Sequence, residues 1–326
     1  MAYETGTATG PSDLATKLST FLTTNGWTED DTASSSPTLE VLLNDGGSFY
    51  VSLICTASSL RIIPNTGYSG VAASDEQPGS AFDNNGWTAD RGLVQNFAGP
   101  YTAYHFFLDQ SADVPDGDQL IVVVEQDTEL YRMFAFGTLK KFGTYDGGQF
   151  VSHDNHDTIS GTDQFGNTSG LFGNDVSSGN TDQGIVRVGG LDSLSEDWMG
   201  QESVTGHSGA SGRRMAWSAP SGNESGFGGE IFPLTLKASY STFWPLFPIH
   251  CMVSRDLDDS SPTSISFAGS VPMCFGINTR DFDPGQVLTI GSDDYLVFPK
   301  GRKSNDFDDA TMPNVFREGL AINRDV

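Results

Sequence analysis

A chain of 326 residues with 42 acidic against 17 basic side chains carries a formal net charge of −25. That length suits one large β domain or two ordinary ones with a real core, and the acidity argues against direct binding to duplex nucleic acid, whose phosphates need a cationic face. Its 38 Gly and 22 Phe imply many turns and a concentrated stock of apolar side chains, the composition of many short strands.

The opening "MAYETGTATGPSD" has neither a basic n-region nor an apolar run, so no secretory signal is expected. No stretch approaches the ~20 apolar residues of a membrane-spanning helix. The expectation is a soluble protein made in the cytoplasm. "SDLATKLSTFLTTNGW" then places Leu14, Leu18, Phe21 and Leu22 on one helical face. Pro11 precedes this helix, Ser12 or Asp13 is positioned to cap it, and Asn25-Gly26 should end it. A single helix of that length is marginal in water, so it should dock on a sheet.

From Thr38 the period changes. "TLEVLLNDGGSFYVSLICTA" reads as strand, turn at Asp45-Gly46-Gly47, strand, and Leu60 to Ile63 adds a short third. Residues 64–99 read as a long decorated loop with isolated Phe82, Trp87 and Phe97. "YTAYHFFLD", "DQLIVVVEQ" and "LYRMFAFGTLKKFG" form an antiparallel meander. Residues 146–230 are rich in Gly, Ser, Asn and Asp, interrupted by "GIVRVGGL" and "RRMAWSAP"; they read as an insertion or arm that orders against a neighbour. β pattern returns in "EIFPLTLKASYSTFWPLFPIHCMVSRD", where Pro233, Pro245 and Pro248 place parts of the run at sheet edges or bends, and in "SISFAGSVPMCFGIN". "QVLTIG" and "YLVFPKGRK" make a hairpin, and "VFREGLAINRDV" a final edge strand.

The expected fold is mainly β, an antiparallel sandwich- or barrel-like core with one N-terminal amphipathic helix and a long Gly/Ser/Asn-rich insertion. Residues 1–27 are the helical segment, 28–145 and 231–326 share the β core, and 146–230 form the polar arm.

Residues with chemical potential are sparse. Cys55, Cys251 and Cys274 lie far apart without a CxxC pair, which points to buried free thiols rather than a disulfide scaffold or a zinc site. "HDNHD" offers His153, Asp154, His156 and Asp157 to a cation, but a polar loop is the stronger reading. The acidic turn "DVPDGD" lacks the spacing of a calcium loop. Ser211 in "GHSGASG" lacks the strand and helix of a nucleophile elbow. Trp27, Trp87, Trp198, Trp217 and Trp244 could stack on sugars, although core or interface positions are the commoner use of Trp. No enzymatic activity, catalytic residue, metal or cofactor is expected.

Cations are few and clustered. Lys140-Lys141, Arg213-Arg214, and Lys300, Arg302 and Lys303 stand out from the acidic background. The functional reading is an intersubunit contact, in which a basic tip meets a neighbour's acidic flank and sets register.

Four blocks taken together resemble a family of tailed-bacteriophage virion proteins: "MAYETGTATGPSDLATKLSTFLTTNGWT", "YRMFAFGTLKKFGTYDGGQFVS", "FWPLFPIHCMVSRD" and "FDPGQVLTIGSDDYLVFPKGRKS". They occur in the expected order and span most of the chain. The resemblance implies a structural role in the virion, in or next to the tail or baseplate, with a symmetric homo-oligomer and neighbouring tail, baseplate or neck proteins as partners. Alternatives are a head-associated decoration or neck protein, and a glycan-binding tail module using Trp87, Trp217 and Trp244.

Overall fold

The computed structural model describes residues 1–35, 38–47, 49–70, 77–81, 92–111, 114–115, 117–127, 130–153, 184–189, 197–201, 214–217, 246–254, 265–279, 281–299, 301–302 and 318–325. Within them the chain is mainly β. Strand β1 (Ala2–Ala8) leads into helix α1 (Pro11–Thr24), followed by β2 (Thr28–Ser35), β3 (Thr38–Asn44), β4 (Tyr50–Cys55), β5 (Leu60–Asn65) and β6 (Leu93–Val94). The meander is β7 (Tyr101–Asp109), β8 (Gln119–Asp127) and β9 (Leu130–Thr138), continued by β10 (Lys140–Lys141) and β11 (Asp146–His153). Next come β12 (Gly184–Gly189), β13 (Asp197–Gln201), β14 (Arg214–Trp217), β15 (Phe247–Ser254) and β16 (Ile265–Asn278). The C-terminal strands are β17 (Gln286–Ile290), β18 (Asp293–Pro299), β19 (Gly301–Arg302) and β20 (Glu318–Asn323).

The helix forms where the apolar spacing places it, but its cap differs from expectation. Gly10 is the N-cap residue and Pro11 begins the helix, so neither Ser12 nor Asp13 is the cap. Both already lie in the first turn, where Pro is tolerated because its missing N–H would be unpaired anyway. Asp13 instead reaches back, its Oδ2 accepting the Thr9 backbone N–H at 2.8 Å and the Lys17 ammonium at 2.8 Å. Asn25 and Gly26 end the helix, with Gly26 at φ 95°. Leu14, Leu18, Phe21 and Leu22 are buried. Among the described residues, no helix is long and apolar enough to cross a membrane.

β2 to β6 form a five-stranded antiparallel sheet in chain order. The larger, fifteen-stranded sheet runs β1-β7-β8-β9-β11-β12-β13-β14-β15-β16-β20-β18-β17 and is antiparallel except between β13 and β14. It folds back on itself. One side of β9 is shared by β11, opposite Phe134–Thr138, and by β19, opposite Leu130 and Tyr131. One side of β16 is likewise shared by β10, at Gly269 and Ser270, and by β20, at Cys274 to Asn278. These cross-links give the barrel-like closure that the strand pattern implied.

The meander is the middle layer. On β8, Leu120, Val122 and Val124 face a core with α1 and the smaller sheet, while Ile121 and Val123 face a core with β11 to β20. Burial on both faces explains why this strand reads as a continuous apolar run instead of an alternation. Neighbouring strands divide the same way: Phe106 and Leu108 go to one core and Phe107 to the other.

Other elements depart from the sequence reading. β1 and β2 were not expected, because "AYETGTA" and "TEDDTASS" carry little apolar alternation; their register on β7 and β3 comes from backbone pairing. Of residues 64–99, β6 pairs with β5, and Phe97 is fully buried against Tyr101. The described parts of 146–230 are β11 to β14, all strands of the larger sheet, with Phe150, Val186, Val188, Met215 and Trp217 in its core; the rest of that stretch lies outside the described residues. The final strand is not an edge: β20 lies between β16 and β18. Cys55, Cys251 and Cys274 are buried free thiols, as expected, and burial raises the Cys55 thiol to about 12.

Candidate interaction surface

The cations singled out by sequence fall at separate places. Lys140 and Lys141 form β10, in register with Ser270 and Gly269. The Lys141 ammonium donates to the Tyr145 carbonyl at 3.2 Å and sits 5.5 Å from the centre of the Tyr145 ring. Arg214 opens β14 opposite Gly200, and Arg302 lies on β19 opposite Leu130. Leu130 begins β9 and Lys140 follows its end, so these two basic positions are separated by most of a strand, roughly 30 Å at ~3.3 Å per residue. Arg213, Lys300 and Lys303 lie outside the described residues.

The Trp residues that are described are core. Trp217 is fully buried and meets Phe150 edge-on with ring centres 5.6 Å apart. Trp27 packs edge-on against Phe49 and Phe136 and donates its indole N–H to Asp118 Oδ2 at 2.6 Å. Trp198 donates to the Gly79 carbonyl at 3.0 Å. Stacking on a glycan is therefore not available to Trp217, which corrects one of the three positions considered for it; Trp87 and Trp244 lie outside the described residues. His153 is buried at the end of β11, while Asp154, His156, Asp157 and Ser211 lie outside. Among the described residues, no group of three or more His, Cys, Asp or Glu side chains is placed to hold a metal ion.

Asp45 and Asp118 form a structural polar cluster under β3 and β8. Asp45 Oδ1 accepts the Gly47 N–H at 2.8 Å and the Phe49 N–H at 3.3 Å. Asp118 accepts from both Trp27 and Gln110. Burial, with a smaller contribution from nearby carboxylates, raises both acids above the usual range.

The surface offers a different set of residues. Among the described residues four large hydrophobics remain exposed: Phe142 at 40%, Phe267 at 42%, Val287 at 39% and Ile290 at 44%. They form two pairs. Phe142 and Phe267 flank His250, with ring centres 5.5 and 5.9 Å from the imidazole, and the Phe142 N–H donates to the Ala268 carbonyl at 2.9 Å. On β15 and β16 the neighbours Ile249, Cys251 and Ala268 point into the core, so alternation turns His250 and Phe267 outward. Lys140 and Lys141 immediately precede Phe142.

Val287 and Ile290 lie on β17, the last strand of the larger sheet, whose only partner among the described residues is β18. The strand reads Gln-Val-Leu-Thr-Ile, with no charge and no Pro. Leu288 packs on the small core of Ile277, Phe282, Tyr295 and Val297. Asp281 and Asp283 precede the strand and Asp293 and Asp294 follow its turn. Arg324 pairs with Asp294 at 2.9 Å. The hairpin is legible in the sequence, whereas the exposure of Val287 and Ile290 on its first strand is not.

Neither a scan against protein-family models nor a comparison with curated proteins finds a match for this chain.

Proposed function

We propose that this chain is a structural subunit of a tailed-bacteriophage virion, in or next to the tail or baseplate, that assembles as a symmetric homo-oligomer. The observation that carries the reading is the ordered set of four sequence blocks, ending in "FDPGQVLTIGSDDYLVFPKGRKS", that resembles virion proteins of tailed phages. Among the described residues β17 pairs only with β18 and carries no charge or Pro within the strand, a feature that suits an assembling subunit. The role is structural, without a cofactor and without enzymatic turnover.

Quantitative mass spectrometry of purified virions tests the reading. The expected result is this chain at about a dozen copies or fewer per particle, the stoichiometry of a closed ring. Hundreds of copies would move it to the head as a decoration protein. Absence from purified virions would overturn the structural role.

A further inference from the structure

We propose that Asp45, Asp118 and Thr138 together bind one divalent cation of the calcium class, a structural ion that ties the β3–β4 turn of the smaller sheet to the start of β8 in the larger one. The proposal stands apart from the virion reading, and the ion takes no part in any turnover.

The three side chains arrive from different parts of the chain. Asp45 follows β3, Asp118 immediately precedes β8, and Thr138 ends β9. Main-chain pairing joins the last two, the Thr138 N–H donating to the Asp118 carbonyl at 2.8 Å. Each carboxylate has one oxygen committed: Asp45 Oδ1 accepts the Gly47 and Phe49 N–H groups, and Asp118 Oδ2 accepts from Trp27 and Gln110. These bonds hold both carboxylates in place, while among the described residues no hydrogen bond reaches Asp45 Oδ2 or Asp118 Oδ1. Thr138 is 1% exposed, and its Oγ1 has no hydrogen-bond partner among the described residues. A buried hydroxyl left in that state costs free energy, which points to a ligand beside it. Its direction is given by Gly117. A Cβ on that residue would lie 2.7 Å from Thr138 Oγ1 and 2.9 Å from Asp45 Oδ2. The two oxygens therefore border one notch, which the absent side chain of Gly117 leaves open. A calcium ion, with metal–oxygen distances of ~2.3–2.6 Å, suits a gap on this scale.

Charge and ligand chemistry select the occupant. Asp45 and Asp118 are half-buried and their charges repel. Among the described residues neither is paired with a Lys or Arg side chain; the N-terminal ammonium acts on Asp118. Carboxylates withdrawn from water are ordinarily paired or bound to a metal. A bridging water would satisfy Thr138 and leave the charge as it is, whereas a divalent cation answers both. The donors are two carboxylates and a hydroxyl, with no nitrogen or sulfur to favour zinc. Calcium accepts such an irregular oxygen set, completed by water, more readily than magnesium, which demands near-octahedral geometry. Two carboxylates make a weak site, with a Kd on the order of 10⁻⁴–10⁻³ M. The turn "DVPDGD", which ends at Asp118, cannot wrap an ion by its own spacing; the fold brings Asp45 and Thr138 to it from elsewhere.

The test titrates the full chain, stripped with a chelator, with calcium chloride in ~0.15 M salt, which screens diffuse binding to an acidic surface. Calorimetry reads affinity and stoichiometry, and thermal melting reads stabilisation. Calcium should bind at one site per chain and raise the melting temperature by a few degrees through mass action. Asp45→Asn keeps an acceptor for Gly47 and removes one of the repelling charges. Without calcium it should melt no lower than wild type, and with calcium its melting temperature should not move. Thr138→Val, of nearly the same shape, should weaken calcium binding roughly tenfold or more. Should Asp45→Asn melt lower than wild type without calcium, Thr138→Val alone decides. A wild type that binds no calcium, or that is stabilised equally by sodium chloride of matched ionic strength, overturns the site and leaves a water beside Thr138. Calcium binding of equal affinity in wild type and both variants overturns it as well, by placing the ion elsewhere.

Discussion

His105 shows how a single side chain sets a pH dependence. Its Nδ1 lies 2.9 Å from the Tyr3 hydroxyl and its ring leans on Phe298. Burial lowers its pKa from 6.5 to about 4. Between those values the unfolded chain binds a proton that the folded chain refuses, so His105 contributes stability above about pH 6.5 that is lost as pH falls toward about 4. Asp45 and Asp118 act oppositely: their raised pKa values make the folded chain the better proton binder just above the usual carboxylate range. Comparing wild type with His105→Gln isolates the histidine. Urea unfolding at a series of pH values should show a flatter profile for the variant, by on the order of 2 kcal/mol across the window.

Trp27 joins two kinds of contact in one residue. Its ring fills the core between Phe49 and Phe136, and its N–H serves the half-buried Asp118 carboxylate. Trp27→Phe keeps most of the packing and removes the donor. It should cost about 2 kcal/mol in urea titration, the scale of a hydrogen bond to a charged group. An unchanged midpoint would mean that water or Gln110 replaces the indole without loss.

At the scale of elements, the first turn of α1 and the β8–β9 pairing carry the clearest expectations. Asp13 holds the Thr9 N–H and Lys17 together at the positive end of the helix dipole. Asp13→Ala should therefore lower stability by about 1 kcal/mol, readable as a lower denaturation midpoint. Gly137 sits on β9 at φ 139°, and a Cβ there would come within 2.1 Å of the Asp118 carbonyl oxygen. Gly137→Ala forces that backbone apart, and should lose at least about 2 kcal/mol or fail to accumulate as soluble protein. Elements with strong periodicity were legible in the sequence: α1 through Leu14, Leu18 and Phe21, and β7 to β9 through apolar runs too dense for a half-exposed sheet. β1 and β2 were not, because their pairing is made by main-chain groups that every sequence possesses. β20 was misplaced at an edge for a related reason. "GLAIN" shows that a strand is apolar, but its neighbours on both sides are set by long-range topology.

The same limit applies to the surface. Sequence shows that Phe142, Phe267, Val287 and Ile290 are hydrophobic; which hydrophobics lack a covering layer emerges only once the layers are assembled. The basic residues were visible by contrast with an acidic background, yet Lys140–Lys141 and Arg302 sit toward opposite ends of β9. Sequence contrast revealed charge and left its grouping open. For the whole molecule, a net charge of −25 disfavours random self-contact.

Immunogold electron microscopy of phage particles, intact and disrupted, with an antibody against this chain tests the virion assignment most directly. The expected result is label at the tail or baseplate. Absence of label from both intact and disrupted particles would contradict it.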